Sequence, residues 1–291
     1  MVTRSKGLKR LTLIVIVALL VGGAAQKPVP PTRIVSLVPA LTEMLFALGA
    51  GPQVVGVSSF DDFPPEVKKL PRVGALLDPD MERILSLRPD LVIVYGSQTD
   101  LQAQLARTKI RGYSYRHAGL AGVFLTLRDL GSSVGRPQDA ERVVQNIQTR
   151  LDAIKARVAK RPAVRTLLVF ERDPGTLRGV YASGGIGFMH DILAIAGGTN
   201  VFADVTREAV QPSIETLLAR APELILEIRP MGVARGDIPK ERHAWDALAS
   251  VPAVKNGRIY IETDDYLVVP GPRVADAAET IARILHPEAF K

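Results

Sequence analysis

Short runs of β-branched and aliphatic residues alternate along the chain with longer stretches whose apolar positions recur at helical spacing. Runs of the first kind lie at residues 33–38, 54–58 and 91–95. The segment between the first two, residues 39–48, has helical spacing and ends at Gly49. This alternation predicts an α/β fold with a mostly parallel sheet.

One much longer helical pattern begins at Pro137 and ends before Pro162. At a rise of about 1.5 Å per residue, such a helix is about 30 Å long, enough to join two lobes rigidly. A second α/β series follows it. We therefore expect an N-terminal lobe at residues 32–136, a connecting helix at 137–161 and a C-terminal lobe at 162–291.

The two lobes share an internal repeat. The segment ERILSLRPDLVI begins at Glu82, and ETLLARAPELIL begins 133 positions later at Glu215. Both combine a helix, a proline and a buried strand. A weaker match pairs LFALG at 45–49 with LAIAG at 193–197, a helix ended by glycine in each case. The order of the two matches predicts that both lobes repeat one topology.

The first 25 residues have the layout of a secretory signal peptide: basic residues, an apolar run at 11–21, and small residues ending at Ala25. A retained transmembrane anchor needs about 20 apolar residues, more than this run supplies. We expect cleavage near Ala25 and export to the periplasm. The chain has no cysteine, so we expect an unlipidated protein.

Composition excludes several classes of function. The formal net charge is +7, and the basic residues of the leading segment carry more than half of it. With no basic run elsewhere, the sequence does not support nucleic-acid binding. The absence of cysteine excludes a disulfide scaffold, thiolate metal sites and a cysteine nucleophile. The four histidines are scattered, so no resident metal or cofactor is expected.

Two glycine-containing motifs carry alternatives. Gly131, Ser133 and Gly135 match G-x-S-x-G, but a nucleophile elbow requires a preceding strand, and here a helix is predicted. We therefore expect this stretch to be a glycine-rich turn between two helices. The alternative is that Ser133 is the nucleophile of an exported hydrolase. The stretch SGGIG at 183–187 precedes a predicted helix, and we expect it to be a tight loop at a cleft.

The repeat and the aromatic residues suggest where the chain meets its partners. If the lobes are related by an approximate two-fold axis, Glu82 and Glu215 occupy equivalent places, which suits a two-fold symmetric partner with paired arginines. Aromatic residues also fall near the ends of predicted strands, where ligands bind in open α/β sheets. They are Phe60, Phe63, Tyr95, Phe170 and Tyr266.

Four segments carry a resemblance to a known family: RIVSLVPALTEMLFALGAG, VVGVSSFDDFPPEVKKLPRVG, MERILSLRPDLVIV and GVYASGGIGFMHDILAIAGGTNVFAD. They resemble the periplasmic substrate-binding proteins of ABC importers for vitamin B12, haem and iron siderophores, most of all the cobalamin-binding branch. The resemblance implies two lobes joined by one long helix, a ligand in the cleft, and no catalysis.

The resemblance also implies roles for individual residues. Glu82 and Glu215 would dock on the permease dimer of the importer. Cobalamin is the expected transported ligand of a monomeric carrier, and Leu76 and Ala209 stand where the family leads us to expect tryptophan. The resemblance gives Phe60, Tyr95 and Tyr266 as cleft aromatics. The full set of expected ligand contacts adds Tyr181 and Arg273, and Arg273, Asp264 and Asp265 lie near the last predicted strand.

An iron-siderophore or haem carrier of the same architecture is the alternative. Haem would require an axial tyrosine or histidine in the cleft. The candidates are Tyr95, Tyr181, His117 and Tyr266.

Overall fold

The computed structural model describes residues 29–230 and 235–291, so the predicted signal peptide lies outside the described residues. The N-terminal lobe is built on a parallel sheet of four strands in the order β2-β1-β3-β4. The two central strands, β1 and β3, are almost fully buried because helices cover the sheet, whereas the edge strand β4 is largely exposed. The elements are β1 (Ile34–Ser36), α1 (Pro39–Ala47), β2 (Val54–Val57), α2 (Met81–Ser86), β3 (Leu91–Tyr95), α3 (Thr99–Leu105), β4 (Arg111–Tyr115) and α4 (Leu120–Ser133).

The long helix α5 (Pro137–Val158) links the lobes. Proline at its start fits the first turn, where its missing N–H would have no helical partner. One face is buried and packs against α4, α6 and α10. That face consists of Ala140, Val144, Ile147, Leu151, Ile154 and Val158. A shared core on both sides of one helix makes the connection rigid.

The C-terminal lobe has a mixed sheet of six strands. Five of them lie in the order β10-β9-β5-β6-β8, with β7 beside β5. Strands β6 and β8 are antiparallel to their neighbours, and the other pairings are parallel. The elements are β5 (Val164–Glu171), β6 (Tyr181–Ser183), α6 (Phe188–Ile195), β7 (Gly198–Asn200), β8 (Ala209–Val210), α7 (Ile214–Arg220), β9 (Leu224–Ile228), α8 (Ile238–His243), α9 (Pro252–Lys255), β10 (Ile259–Glu262) and α10 (Val274–Leu285).

The α/β class, the long helix and the principal strands were predicted and are confirmed. The elements that the sequence pattern did not predict are short: α3, β6, β7, β8, α8 and α9. In segments of two to seven residues the periodic signal is weak, because few positions contribute to it. No helix among residues 29–230 and 235–291 is long and apolar enough to cross a membrane.

The internal repeat is confirmed down to single hydrogen bonds. Strands β3 and β9 begin and end 133 positions apart. Among the described residues, the only non-glycine residues with positive φ are Arg88 (49°) and Ala221 (45°), also 133 apart. In each lobe an arginine at the first strand, Arg33 or Arg165, donates to carbonyl oxygens at the end of the repeated helix. The two corners of the molecule therefore share one local structure.

Candidate functional site

A cavity of about 880 Å³ lies between the two lobes. Its walls come from the carboxyl ends of strands in both sheets, together with the first turns of α1 and α6. Parallel strands end at the same edge of a sheet, so the loops that follow them meet there. The position of the cavity therefore follows from the direction of the strands in the two sheets.

Two tyrosines form the wall on the N-terminal lobe. Tyr95 ends β3 and Tyr115 ends β4, and their rings lie edge to face with centroids 6.2 Å apart. Burial raises the pKa of Tyr95, and it raises the pKa of Tyr115 to about 12 with help from Tyr95 and Glu208. Both phenols are therefore neutral at physiological pH. They offer flat apolar faces and polar hydroxyls.

His117 follows this wall and touches both lobes. Its Nδ1 lies 3.3 Å from the hydroxyl of Tyr115. Its ring meets Phe188, the first residue of α6, edge to face at 5.5 Å. The imidazole is thereby held at the junction of the lobes inside the cavity.

The wall on the C-terminal lobe combines aromatic rings with a glycine loop. Phe170 and Tyr181 lie with ring centroids 6.4 Å apart. The SGGIG stretch contributes Ser183, Ile186 and Gly187 to the lining, which confirms the predicted loop at the cleft. A Cβ on Gly184 would lie 2.1 Å from the carbonyl oxygen of Arg207, so only glycine fits there.

Two arginines line the cavity as part of a buried ion-pair network. The Nε of Arg172 lies 2.9 Å from Glu227, and its Nη1 lies 2.9 Å from Glu241. Arg229 approaches Glu241 to 3.2 Å. Burial opposes ionisation of Glu241, but the N–H of Gly175 and the two guanidinium groups lower its pKa. Each positive charge in this network is thus matched by a buried carboxylate.

Three further carboxylates line the cavity: Glu171, Asp173, which pairs with Arg178 outside the lining at 3.4 Å, and Glu208. The described lining contains Arg172 and Arg229 as its only arginines and no lysine, and both arginines are paired. In the part of the chain that the structure describes, the site therefore has apolar and aromatic walls and an excess of negative charge.

The structure brings together two of the five expected ligand contacts. Tyr95 and Tyr181 line the cavity. Phe60 does not: it lies in the loop after β2 and is 58% exposed. Tyr266 is also outside the lining, because its hydroxyl bonds the Thr280 hydroxyl at 3.0 Å and turns the ring towards α10.

Arg273 also lies outside the lining, where it joins the two lobes. Its guanidinium lies 2.5 Å from Glu43 on α1 and 3.2 Å from Asp265. The ring of Phe63 covers it, with the ring centroid 4.1 Å away. Although burial lowers the pKa of Arg273, its hydrogen bonds with both carboxylates raise it more. We call this cluster of Glu43, Phe63, Asp265 and Arg273 the interlobe clamp.

Of the two positions where the resemblance led us to expect tryptophan, only one lies at the cavity. Ala209 lines the cavity, whereas Leu76 does not. The only tryptophan in the sequence, Trp245, is fully buried and donates from its indole to Glu227. It therefore supports the buried network and offers no face to a ligand.

Sequence reasoning missed several lining residues. Tyr115 was detectable, since it ends a predicted strand as Tyr95 does. The pairing of the arginines could not be detected in the sequence, because Glu227 and Glu241 lie 55 and 69 positions from Arg172. No local pattern marks such a pairing.

Glu82 and Glu215 lie at equivalent corners of the molecule. Each is the second residue of its helix, after an N-cap whose side chain accepts a backbone N–H: Asp80 for α2 and Ser213 for α7. Both glutamates are exposed. The N–H of Glu215 and the hydroxyl of Ser213 lower the pKa of Glu215. Two separate carboxylates thus face solvent on matching helix ends.

Ser133 is not a nucleophile elbow. It is the last residue of α4, and no strand precedes it. Gly131 packs against α5, where a Cβ would lie 2.5 Å from that of Ala140. Close helix packing accounts for this glycine, so the hydrolase alternative has no structural support.

Two lobes around one long helix, with a cavity between them, are the architecture of a solute-binding protein. Residues 34–266 match the family described as periplasmic binding protein, and the chain belongs to this family. It is a family of binding proteins without enzymatic activity.

Individual relatives agree with this assignment. The chain is 31% identical over 255 residues to the vitamin B12-binding protein of Salmonella typhimurium, covering 87% of this chain and 90% of that one. Among solved structures, it is similar to the periplasmic vitamin B12-binding protein of Vibrio cholerae, with a TM-score of 0.74, 27% identity and coverage of 90% and 99%. It is also similar to a periplasmic haem-binding protein from Roseiflexus, with a TM-score of 0.73, 27% identity and coverage of 88% and 98%.

Proposed function

We propose that this protein binds one cobalamin in the cavity between its lobes and delivers it to an ABC importer. The observation that carries the proposal is the chemistry of the lining: aromatic and aliphatic faces, neutral phenol hydroxyls, and arginines already paired with glutamates. A corrin is a broad apolar plate edged with uncharged amides. Such a ligand needs flat surfaces and a few hydrogen bonds, and it needs no free cation.

Haem is the second candidate, and one feature favours it. His117, Tyr95 and Tyr181 all line the cavity, and any of them is a suitable axial ligand for iron. The charge of the lining argues against it. Haem carries two carboxylates, and the described lining offers no unpaired cation but three more carboxylates, of which Asp173 is paired with Arg178. Burying like charges together is unfavourable, so we favour cobalamin over haem and over anionic ferric siderophores.

The proposal also covers docking on the importer and the state in which the carrier reaches it. Glu82 and Glu215 dock on the two subunits of the permease, one at each lobe. The carrier is an exported, unlipidated monomer, with its signal peptide removed near Ala25.

Titration calorimetry with cyanocobalamin, haemin and ferric enterobactin, an anionic ferric siderophore, tests the choice of ligand. We expect one cyanocobalamin per protein. The double substitution Tyr95→Ala and Tyr181→Ala should weaken binding more than tenfold, a change of over about 1.4 kcal/mol, because each ring buries a large apolar surface on the ligand.

Tyr266→Phe is the matched control, since it removes only the hydroxyl that bonds Thr280 and should leave the affinity unchanged. Absorbance melting curves of all variants check that they fold. If cyanocobalamin gives no heat at tens of micromolar while haemin binds one to one, the cobalamin assignment is wrong.

A further inference from the structure

Each lobe exposes a leucine at the same position of the repeat. Leu85 on α2 is 42% exposed, and Leu218 on α7 is 40% exposed. Each follows a corner glutamate, Glu82 or Glu215, by three residues. Side chains three apart on a helix are neighbours on one face, so each leucine lies beside its glutamate.

A second apolar side chain lies on the same face of each helix. Met81 and Ile214 precede the two glutamates and lie four positions before the two leucines. Both are partly buried and pack against the core of their own lobe. Each corner is therefore a carboxylate beside an apolar stripe, one end of which is fixed to the core. We name these the α2 corner (Met81, Glu82, Leu85) and the α7 corner (Ile214, Glu215, Leu218).

The exposed leucines are not members of the core clusters of their lobes. The core contacts of the two helices come from Ile84 and Leu217, which are 0% and 1% exposed. The first turns are capped by Asp80 and Ser213. A single exposed leucine is ordinary on a protein surface. Two at equivalent positions, each beside an exposed carboxylate, form a repeated surface.

We propose that the apolar stripes are part of the docking surface, so that the partner presents an apolar side chain beside a basic one at two equivalent places. The partner is the permease dimer of the proposed function, on which this inference rests. Two matching corners fit a partner built from two like subunits, and the carboxylates require positive charge opposite them. An isolated exposed ion pair contributes little to binding. Leucines that exclude water around the pair make it a more effective contact.

Photo-crosslinking locates the partner without knowledge of the transported ligand. Purified protein carrying p-benzoylphenylalanine in place of Leu85 or Leu218 is irradiated with membranes of the source cells, from which the native gene has been deleted. We expect both positions to crosslink to the same integral membrane protein, identified by mass spectrometry. The control position is Leu125, a leucine on α4 that is 66% exposed and lies outside both corners. Crosslinking at Leu85 and Leu218 no stronger than at Leu125 would overturn the proposal.

Binding of purified variants to the same membranes distinguishes the proposed contact of the apolar stripes from the proposed docking of the glutamates. Leu85→Ser with Leu218→Ser should weaken membrane binding at least tenfold, whereas Leu125→Ser should not change it. Glu82→Ala with Glu215→Ala tests the docking role of the carboxylates. If the glutamate variant loses binding and the leucine variant keeps it, only the apolar stripes are rejected. If the glutamate variant binds as the unmodified protein does, the proposed docking itself is rejected.

Discussion

At the scale of single residues, the least expected feature is the buried carboxyl group of Asp61. It is 1% exposed, and neither carboxyl oxygen makes a hydrogen bond of normal geometry, although the nearby Thr42 hydroxyl and Ser58 backbone partly offset the effect of burial on its pKa. Arg72 binds the backbone carbonyl of Asp61, while Glu43 and Tyr95 lie nearby. Burial raises the pKa of Asp61 to about 7. The group therefore carries its proton in the folded protein over most of the acid range.

This carboxyl group makes stability depend on pH. In the unfolded chain, an aspartate loses its proton at about pH 4, whereas the folded protein keeps the proton on Asp61 up to about 7. Between these values the folded state binds more protons, so the free energy of unfolding falls as pH rises. Each pKa unit corresponds to about 1.4 kcal/mol.

We predict that Asp61→Asn raises the free energy of unfolding at pH 8 by up to about 4 kcal/mol and changes little at pH 4. Asparagine resembles the protonated acid, so the decline between these pH values should largely disappear. Urea unfolding at several pH values measures it. Asp62→Asn removes the same charge from an exposed neighbour and should preserve the decline. An unchanged slope in Asp61→Asn would show that Asp61 does not hold the proton.

At the scale of elements, the repeated helices α2 and α7 end in the same strained conformation. Arg88 and Ala221 adopt left-handed φ values of 49° and 45° just after their helices. A residue with a Cβ costs about 1 to 2 kcal/mol in this region, whereas glycine adopts it freely. The duplication of this strain shows that the fold requires a sharp reversal before each following strand.

We predict that Ala221→Gly raises the free energy of unfolding by about 0.5 to 1 kcal/mol. Relief of strain outweighs the extra entropy that glycine gives the unfolded chain. Ala219→Gly, two residues earlier within α7, serves as control and should lower stability by about 1 kcal/mol. Denaturant unfolding of both variants decides the matter. Destabilisation by both would mean that the left-handed turn is not strained.

At the scale of the whole molecule, the lobes are held by α5 on one side and by the interlobe clamp elsewhere. Arg273 of the C-terminal lobe inserts between Glu43 and Phe63 of the N-terminal lobe. Burial raises the pKa of Glu43, and Arg273 opposes that rise. The clamp therefore depends on the arginine to keep a buried carboxylate charged.

We predict that Arg273→Met lowers the free energy of unfolding by about 3 kcal/mol or more, because it leaves Glu43 buried without a counter-charge. Adding Glu43→Gln should restore most of the loss, as removal of both charges from a buried pair is often nearly neutral. Arg283→Met, which breaks an exposed pair with Glu279, should change stability by no more than about 0.5 kcal/mol. Denaturant unfolding of the four proteins forms the test, and equal losses for Arg273→Met and Arg283→Met would contradict it.

Local pattern was sufficient for the α/β class, the long helix, the repeat and the two glutamate corners. The class and the long helix depend on residues close together in sequence, such as a helical period or a proline at a helix start, and the repeat shows in a direct comparison of two segments 133 positions apart. Tyr95 was found because the rule about strand ends is also local.

Only the tertiary structure decided which side chains line the cavity. Tyr266 and Arg273 lie near the last strand and could contact a ligand by their chemistry. In the fold, however, Tyr266 bonds Thr280, and Arg273 pairs with Glu43 and Asp265. Glu43 and Arg273 are 230 positions apart. A side chain's direction is set by its partners in space, and partners this distant leave no local signature in a single sequence.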